Sequence, residues 1–242
     1  MKTRIKNYEL LDLADRIVCL SLEDDEDRRK LFYSRWEKYL EGKKFNFHLA
    51  ARPTKDSLNR FIGNFNNSKL PDGDISKDCL GRWGCWLSHY EIISYCVSKN
   101  LSSILILEDD TLPNEEVINK SINPPPPDWD LIYLGYSSCD VLSEYRDQKS
   151  RTETTYKDPS SFYNYGGWKR IRAWGTFAMI LKSTVFQDYL RELKDYAYEN
   201  SVADNDPTAD GTYYYYLWKK HSFYCNNEVV LHDYSLKSNI NV

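Results

Sequence analysis

Glu108, Asp109 and Asp110 are three consecutive carboxylates, and they are the feature of this sequence best suited to chemistry. They directly follow the run from Ser103 to Leu107, which has the pattern of a strand buried on both faces. Ligands of open α/β sheets bind beyond the carboxyl ends of the strands. Because adjacent carboxylates repel each other, a hard divalent ion with oxygen ligands, Mn²⁺ or Mg²⁺, is expected to neutralise them.

Strand alternation distributes these three side chains between two faces. It directs Glu108 and Asp110 to one side and Asp109 to the other. We therefore predict that Asp110 is the metal ligand, with Glu108 as the second choice. The alternative for this motif is an acidic turn exposed to solvent.

Two further groups have side chains suited to a phosphate-bearing ligand. Arg28 and Arg29 follow the first predicted strand and an acidic turn, and guanidinium groups suit phosphate or ribose contacts. His89 shares a predicted helix with two aromatic residues and is a candidate for contacting a metal shell or a diphosphate. The alternatives are a surface arginine and a histidine satisfied inside the fold.

The surrounding elements alternate between strand and helix patterns, which favours an α/β fold with a mostly parallel sheet and helices on both faces. Strands are predicted at 16–22, 45–50, 103–107, 129–134, 173–181 and 229–231. Helices are predicted around 32–40, 83–100, 115–121, 183–193 and 212–220. Segment 53–78 is interpreted as a loop with one helical turn and segment 136–172 as a loop. Residues 1–242 are interpreted as a single domain with its core at about 16–235.

Composition narrows the classes of protein. The 32 basic and 36 acidic residues give a net charge of −4, which disfavours nucleic-acid binding driven by bulk charge. No apolar run approaches the roughly 20 residues of a membrane span. The six cysteines form no C-x-x-C pair and lie in apolar stretches, which disfavours a zinc site and favours free buried thiols and a cytoplasmic location.

Four segments, in order, resemble glycosyltransferase family 25, the bacterial lipooligosaccharide and collagen galactosyltransferases. The acidic motif Ile104 to Asp110 resembles that of the family, and Gly84 to His89 resembles its Gly-Cys-x-Leu-Ser-His element. The run Ile17 to Leu22, followed by Asp27-Arg28, resembles its opening strand and Asp-Arg pair, with Ser21 where Asn is common. The run Trp129 to Gly135 resembles the next strand.

The resemblance implies a GT-A fold, a nucleotide diphosphate sugar such as a UDP-sugar as donor, a divalent metal, and inversion at the sugar carbon. It implies a hexose, galactose or glucose, transferred to a hydroxyl of a glycan or glycoprotein. The residues of the matched segments that would contact the donor are Leu20, Ser21, Arg28, Arg29, Ser88, His89 and Asp109. A histidine near the C-terminus closes the metal site of some GT-A enzymes, and His232 is the candidate here.

Inversion in one step needs a base that takes the proton of the acceptor hydroxyl. Asp210 is the candidate, with Asp206 next, although an N-cap at Asp210 and Asx turns around Asp206 are the structural alternatives. The sequence carries 36 aromatic residues, 15% of the chain. We expect the sugar to be held by the aromatic residues of Tyr156–Trp174 and Tyr213–Tyr216, with ordinary packing as the alternative for any one of them.

Two other classes of protein remain in view. One is a non-catalytic module that binds a nucleotide sugar or carbohydrate, for which a cluster of acids has no obvious use. The other is a glycosidase, which would use two carboxylates from separate strands rather than one adjacent cluster.

Overall fold

The computed structural model describes residues 4–66, 77–141, 166–175, 177–203, 209 and 217–236. Its helices are α1 (Glu26–Leu40), α2 (Lys55–Asn66), α3 (Lys77–Ser98) and α4 (Ser183–Ala203), with 3₁₀ turns at Asn7–Leu13 and Leu217–Lys219. Its strands are β1 (Ile5–Lys6), β2 (Ile17–Leu22), β3 (Phe45–Ala50), β4 (Ser103–Glu108), β5 (Thr111–Pro113), β6 (Ser121–Ile122), β7 (Leu131–Gly135), β8 (Ser138–Val141), β9 (Lys169–Trp174), β10 (Ala178–Lys182), β11 (Phe223–Cys225) and β12 (Val230–His232).

Eight of these strands form one sheet in the order β3-β2-β4-β10-β7-β11-β9-β8. Strands β3, β2 and β4 are parallel, and β7 and β11 are parallel. Strand β10 is antiparallel to both β4 and β7, and β9 is antiparallel to β11 and β8. Six of the eight strands therefore point in one direction, which confirms the mostly parallel sheet that we predicted.

The two faces of the sheet carry separate apolar clusters. One joins even-numbered residues of β4, such as Ile104 and Ile106, to Trp86 of α3 and Tyr189 of α4. The other joins Leu105 and Leu107 to residues of α1. Because successive side chains of a strand point to opposite faces, the continuous apolar run of β4 fills both clusters. The fold is α/β with helices on both faces, as predicted.

Local sequence explains where the principal helices begin and end. Asp25 is the N-cap of α1, and its side chain accepts a hydrogen bond from the backbone N of Arg28 at 3.3 Å. Beyond the end of α1, Gly42 has φ +73°. Beyond the end of α3, Asn100 has φ 51°, a conformation that Asn tolerates better than most residues. These signals place Arg28 in the first turn of α1, next to the end of β2.

Three local predictions were wrong. Residues 115–121 were predicted as a helix but form turns, with Val117 N and Ile118 N both donating to Asn114 O, before pairing as β6 with β1. A segment this short gains little from helix formation, so pairing with the N-terminal strand prevails. Within the predicted loops, α2 forms at Lys55–Asn66, and β8 and β9 extend one edge of the sheet.

Among the helices that the structure describes, none combines the length and apolar character needed to cross a bilayer.

Candidate functional site

The acidic motif lies at the carboxyl edge of the sheet, beside the end of β2. Glu108 is the last residue of β4, and Asp109 and Asp110 form the turn that follows. The backbone N of Asp109 donates to Leu20 O at 3.1 Å, and the N of Glu108 donates to Phe177 O at 2.9 Å. Hydrogen bonds to Leu20 of β2 and to Phe177, the residue before β10, thus fix the backbone that presents the carboxylates. Leu20 contributes to the site through its backbone carbonyl.

Asp109 is buried between β2 and α1. Its Oδ2 accepts a hydrogen bond from Ser21 Oγ at 2.6 Å, and its Oδ1 lies 2.6 Å from Nη2 of Arg28. Burial raises the pKa of Asp109 to about 6, although the Ser21 hydrogen bond and the Arg28 charge act in the opposite direction. The serine that replaces the family's usual asparagine therefore bonds directly to the acidic motif.

Asp110 faces the same arginine and a histidine. Its Oδ2 lies 2.9 Å from Nη2 of Arg28 and 3.4 Å from Nε2 of His232. Burial opposes ionisation of Asp110, but the contact with His232 and the charges of His232 and Arg28 outweigh burial and lower its pKa. The same contact raises the pKa of His232. Asp110 is thus held as a carboxylate.

One oxygen of this carboxylate has unused bonding capacity. Asp110 Oδ1 is buried and has no hydrogen-bond partner among the described residues, and the same holds for Nδ1 of His232. Buried polar atoms of this kind normally find a partner. A carboxylate oxygen and an imidazole nitrogen are donors that Mn²⁺ accepts, so Asp110 and His232 fit the metal that the family implies.

His232 reaches the site through a two-stranded ladder. Strand β12 pairs with β5, which aligns His232 with Thr111, and Asp233 N donates to Asp110 O at 2.7 Å. Arg35 of α1 contacts Asp233 Oδ2 at 2.6 Å, and Trp36 Nε1 donates to Thr111 O at 3.1 Å. Helix α1 therefore anchors both strands of the ladder. Arg35, Asp233 and Trp36 were not predicted as site residues. The sequence indicated only that Asp233 follows His232 and that Arg35 and Trp36 belong to the first helix.

Arg28 and Arg29 separate in space although they are adjacent in sequence. Arg28 bridges the two aspartates, whereas Arg29 donates through Nη1 to Leu22 O and through Nη2 to Glu23 O at 3.0 Å. Arg28 therefore contributes positive charge to the acidic cluster. Arg29 holds the turn between β2 and α1.

Glu108 points away from Asp110, toward α3. Carboxylate, imidazole and thiol atoms of Glu108, His89 and Cys85 all lie within 4.8 Å of one another. His89 is fully buried, and burial, helped by the charge of His48, lowers its pKa to about 3. Ser88 is also buried, and its hydroxyl donates to Gly84 O of its own helix at 2.7 Å. Two separate clusters thus flank the end of β4.

This arrangement corrects the expectation from strand alternation. Glu108 and Asp109 do alternate between the α3 and α1 sides, but Asp110 shares Arg28 with Asp109. The reason is that β4 ends at Glu108, so the two-residue period no longer applies at Asp110. Among the described residues, Glu108 does not join Asp110 and His232 in one three-ligand group.

Several predicted residues lie outside the described ranges, namely Asp206, Asp210, Tyr213–Tyr216 and the aromatic residues from Tyr156 to Tyr165. Within the described part, Trp168 contradicts its expected role in holding sugar. It is 1% exposed, packs in the α1-side cluster and donates from Nε1 to Asn123 O at 2.9 Å. Its indole is therefore part of the core, so the expected role of Trp168 in holding sugar is wrong and ordinary packing accounts for it.

Comparison of the sequence with known protein families identifies the family to which the chain belongs. Residues 14–224 match the family described as glycosyltransferase family 25 (LPS biosynthesis protein), so the chain belongs to glycosyltransferase family 25. This membership confirms the resemblance seen in the four sequence segments.

Individual relatives are more distant. The chain is 26% identical over 137 residues to a probable inactive glycosyltransferase 25 family member 3 from Bos taurus, covering 50% of this chain and 22% of the relative. It is 25% identical over 142 residues to procollagen galactosyltransferase 2 from Homo sapiens, covering 52% and 21%. The matched region is thus about a fifth of the length of these relatives. A crystal structure of a glycosyltransferase involved in glycosylation of the major capsid of PBCV-1 has a TM-score of 0.48 and 11% identity, covering 93% of this chain and 94% of that one.

Proposed function

We propose that this protein is a metal-dependent, inverting hexosyltransferase that uses a nucleotide diphosphate sugar. The observation that carries the proposal is the buried oxygen of Asp110 that has no partner among the described residues and lies beside His232, at the carboxyl edge of the sheet. This edge is where α/β proteins bind nucleotides, and family 25 membership supplies the class of reaction.

In this proposal, Asp110 and His232 hold Mn²⁺ or Mg²⁺. Such an ion would keep open positions for phosphate oxygens and would supply Lewis-acid stabilisation to the diphosphate leaving group. Arg28 limits repulsion between Asp109 and Asp110 and places a guanidinium within reach of the same phosphates. Asp109, which is bonded to Ser21 and to Arg28, holds the Arg28 guanidinium at this edge of the sheet.

The remaining assignments follow from the family and from chemistry. A UDP-sugar carrying galactose or glucose is the proposed donor, and a glycan or glycoprotein hydroxyl is the proposed acceptor; the galactosyl preference is supported by the human procollagen relative. Inversion needs a base on the face opposite the diphosphate. We assign this role to Asp210, with Asp206 as the second candidate.

A panel of nucleotide sugars with Mn²⁺, scored for transfer to added acceptors, for donor hydrolysis and for thermal shift, tests the proposal. We expect one UDP-hexose to stabilise the protein in the presence of Mn²⁺ and to be turned over. Asp110→Asn should lower turnover by at least about 100-fold, because a ligand matters at least as much as the outer-shell groups that support it. The exposed Asp56→Asn is the matched control and should retain full activity. Full turnover in EDTA or in Asp110→Asn would refute metal-dependent transfer at this site.

The second candidate is a module that binds the nucleotide sugar without turnover. The similarity to a probable inactive family member favours it. It predicts a thermal shift with UDP and Mn²⁺ but neither transfer nor donor hydrolysis for any member of the panel.

A further inference from the structure

A second cluster of metal-ligating side chains lies on the α3 side of β4 and has no role in the proposed transfer reaction. It consists of the Cys85 thiol, the His89 imidazole and the Glu108 carboxylate, each offering one atom within 4.8 Å of the others. Cys85 and Glu108 are half-buried, whereas His89 is completely buried. The cluster thus has a buried nitrogen at its base and two less buried ligands.

The secondary structure holds these three groups in place before any ligand arrives. Cys85 and His89 are four residues apart on α3, so their side chains lie on one face of the helix, one turn apart. Glu108 is the final residue of β4, and its backbone N is fixed by Phe177 O at 2.9 Å. Tyr189 of α4 packs edge-on against the His89 ring, with centroids 6.4 Å apart. The imidazole therefore has one packed orientation.

His89 supplies the observation that points to a ligand. Both of its ring nitrogens are buried and neither has a hydrogen-bond partner among the described residues. An unsatisfied buried polar group costs about 1–3 kcal/mol, so proteins rarely retain one. A metal ion bound by Cys85 and Glu108 would provide a partner for one of the two ring nitrogens.

We propose that Cys85, His89 and Glu108 form a Zn²⁺ site that is distinct from the Asp110 site. Thiolate, imidazole and carboxylate together suit a borderline ion such as Zn²⁺, whereas Mn²⁺ and Mg²⁺ prefer oxygen ligands. Three protein ligands leave a fourth tetrahedral position for water, which can enter on the half-buried side. Zinc bond lengths place its ligand atoms roughly 3.5 Å apart. Atoms that already lie within 4.8 Å of one another would therefore approach by no more than about 1.3 Å on binding, through rotation of the Cys85 and Glu108 side chains.

The two sites are separated by the strand itself. Glu108 faces α3, whereas Asp109 and Asp110 face Arg28 on α1. Zinc at the first site would tie α3 to the end of β4 and so fix the backbone that carries the aspartates. The proposal does not depend on the transfer reaction, since it concerns metal binding by different side chains.

The test uses full-length protein carrying Asp110→Asn, which removes the other metal site. Stripped protein is titrated with Co²⁺, a spectroscopic substitute for Zn²⁺, and then with Zn²⁺. We expect one Co²⁺ per chain with a thiolate-to-metal charge-transfer band, displaced by one equivalent of Zn²⁺. Adding Cys85→Ala should abolish the band, whereas Cys96→Ala, which removes a buried thiol elsewhere on α3, should retain it.

A second measurement on the unmutated chain covers the case in which Cys85→Ala does not fold. One equivalent of Zn²⁺ should protect Cys85 from alkylation by iodoacetamide, as mapped by peptide mass spectrometry. The proposal is overturned if the stripped protein gives no thiolate band, if the band survives Cys85→Ala, or if Zn²⁺ leaves the alkylation of Cys85 unchanged.

Discussion

His232 Nε2 lies 3.4 Å from Asp110 Oδ2, and this contact joins the last described strand to the turn after the central strand β4. The β5–β12 ladder brings them together, with His232 aligned to Thr111 and Asp233 bonded to the backbone of Asp110. The acidic turn is thus complete only when the C-terminal part of the chain has docked on it.

Replacing His232 with alanine should weaken Mn²⁺ binding about 10–100-fold, because Asp110 would lose its partner ligand. Binding is measured by titrating Mn²⁺ in the presence of UDP and following thermal stability. His48→Gln is the control. His48 lies on β3, contacts Glu91 at 3.2 Å and is not part of the Asp110 cluster. Equal Mn²⁺ affinity in His232→Ala and the unmutated protein would exclude His232 as a ligand.

Replacing Arg28 with methionine should destabilise the metal-free protein by about 3–5 kcal/mol, because two buried carboxylates would lose their counter-charge. Urea unfolding at pH 7 measures the change. Lys30→Met is the matched control on α1: its ion pair with Glu26 is 67% and 71% exposed, so its loss should go undetected. If the two variants were equally stable, Arg28 would not be the counter-charge of the site.

Asp233 should contribute to acid sensitivity. Hydrogen bonds from Ser235 and the contact with Arg35 lower the pKa of Asp233 to about 2, below its ordinary value of 3.8. A carboxyl whose pKa is lower in the folded state stabilises the fold above its unfolded pKa and loses that contribution as the pH falls. The stability difference between the unmutated protein and Asp233→Asn should therefore be largest above about pH 4 and shrink toward pH 2.

Urea unfolding between pH 2 and pH 6 tests this expectation. Ser98→Ala serves as the control, since Ser98 is exposed on α3 and its hydroxyl does not ionise, so its stability difference should not vary across the same range. A difference for Asp233→Asn that is constant with pH would contradict the assignment.

Trp168→Ala should lower the free energy of unfolding by about 3–5 kcal/mol, as expected for a fully buried indole. Because the ring is enclosed in the core, the KM for the acceptor of any detected transfer should stay unchanged at a temperature where the variant is folded. Tyr33→Ala, with 49% exposure, should change stability by no more than about 0.5 kcal/mol. A raised acceptor KM with unaltered stability would restore Trp168 to a binding role.

Much of the fold was accessible from the sequence, because the strands that enclose the site have strong local patterns. The apolar run of β4 is typical of a strand buried on both faces, and the aromatic spacing of α3 is typical of a helix buried on one face. Both elements are present where they were predicted. Strands β8 and β9, the last two strands at one end of the sheet, lack such a pattern because they derive stability from pairing with their neighbours rather than from their own sequence.

The site was predictable at the level of the acidic motif but not of its geometry. Strand alternation fails one residue beyond β4, so the convergence of Asp109 and Asp110 on Arg28 needed the actual turn. The separation of Arg28 from Arg29 depends on side-chain bonds to Leu22 and Glu23, which no spacing rule specifies. The pairing of Glu108 with Cys85 and His89 depends on how α3 crosses the sheet.

Strand β10 has a consequence for biosynthesis. Among the strands that the structure describes, it is the sole connection between β3-β2-β4 and β7-β11-β9-β8, because it bonds to β4 on one side and to β7 on the other. A nascent chain therefore cannot assemble a continuous sheet until residues 178–182 have emerged from the ribosome. Until then the backbone N–H and C=O groups along these edges of the apolar strands β4 and β7 face no strand, and a chaperone would be expected to act there during translation.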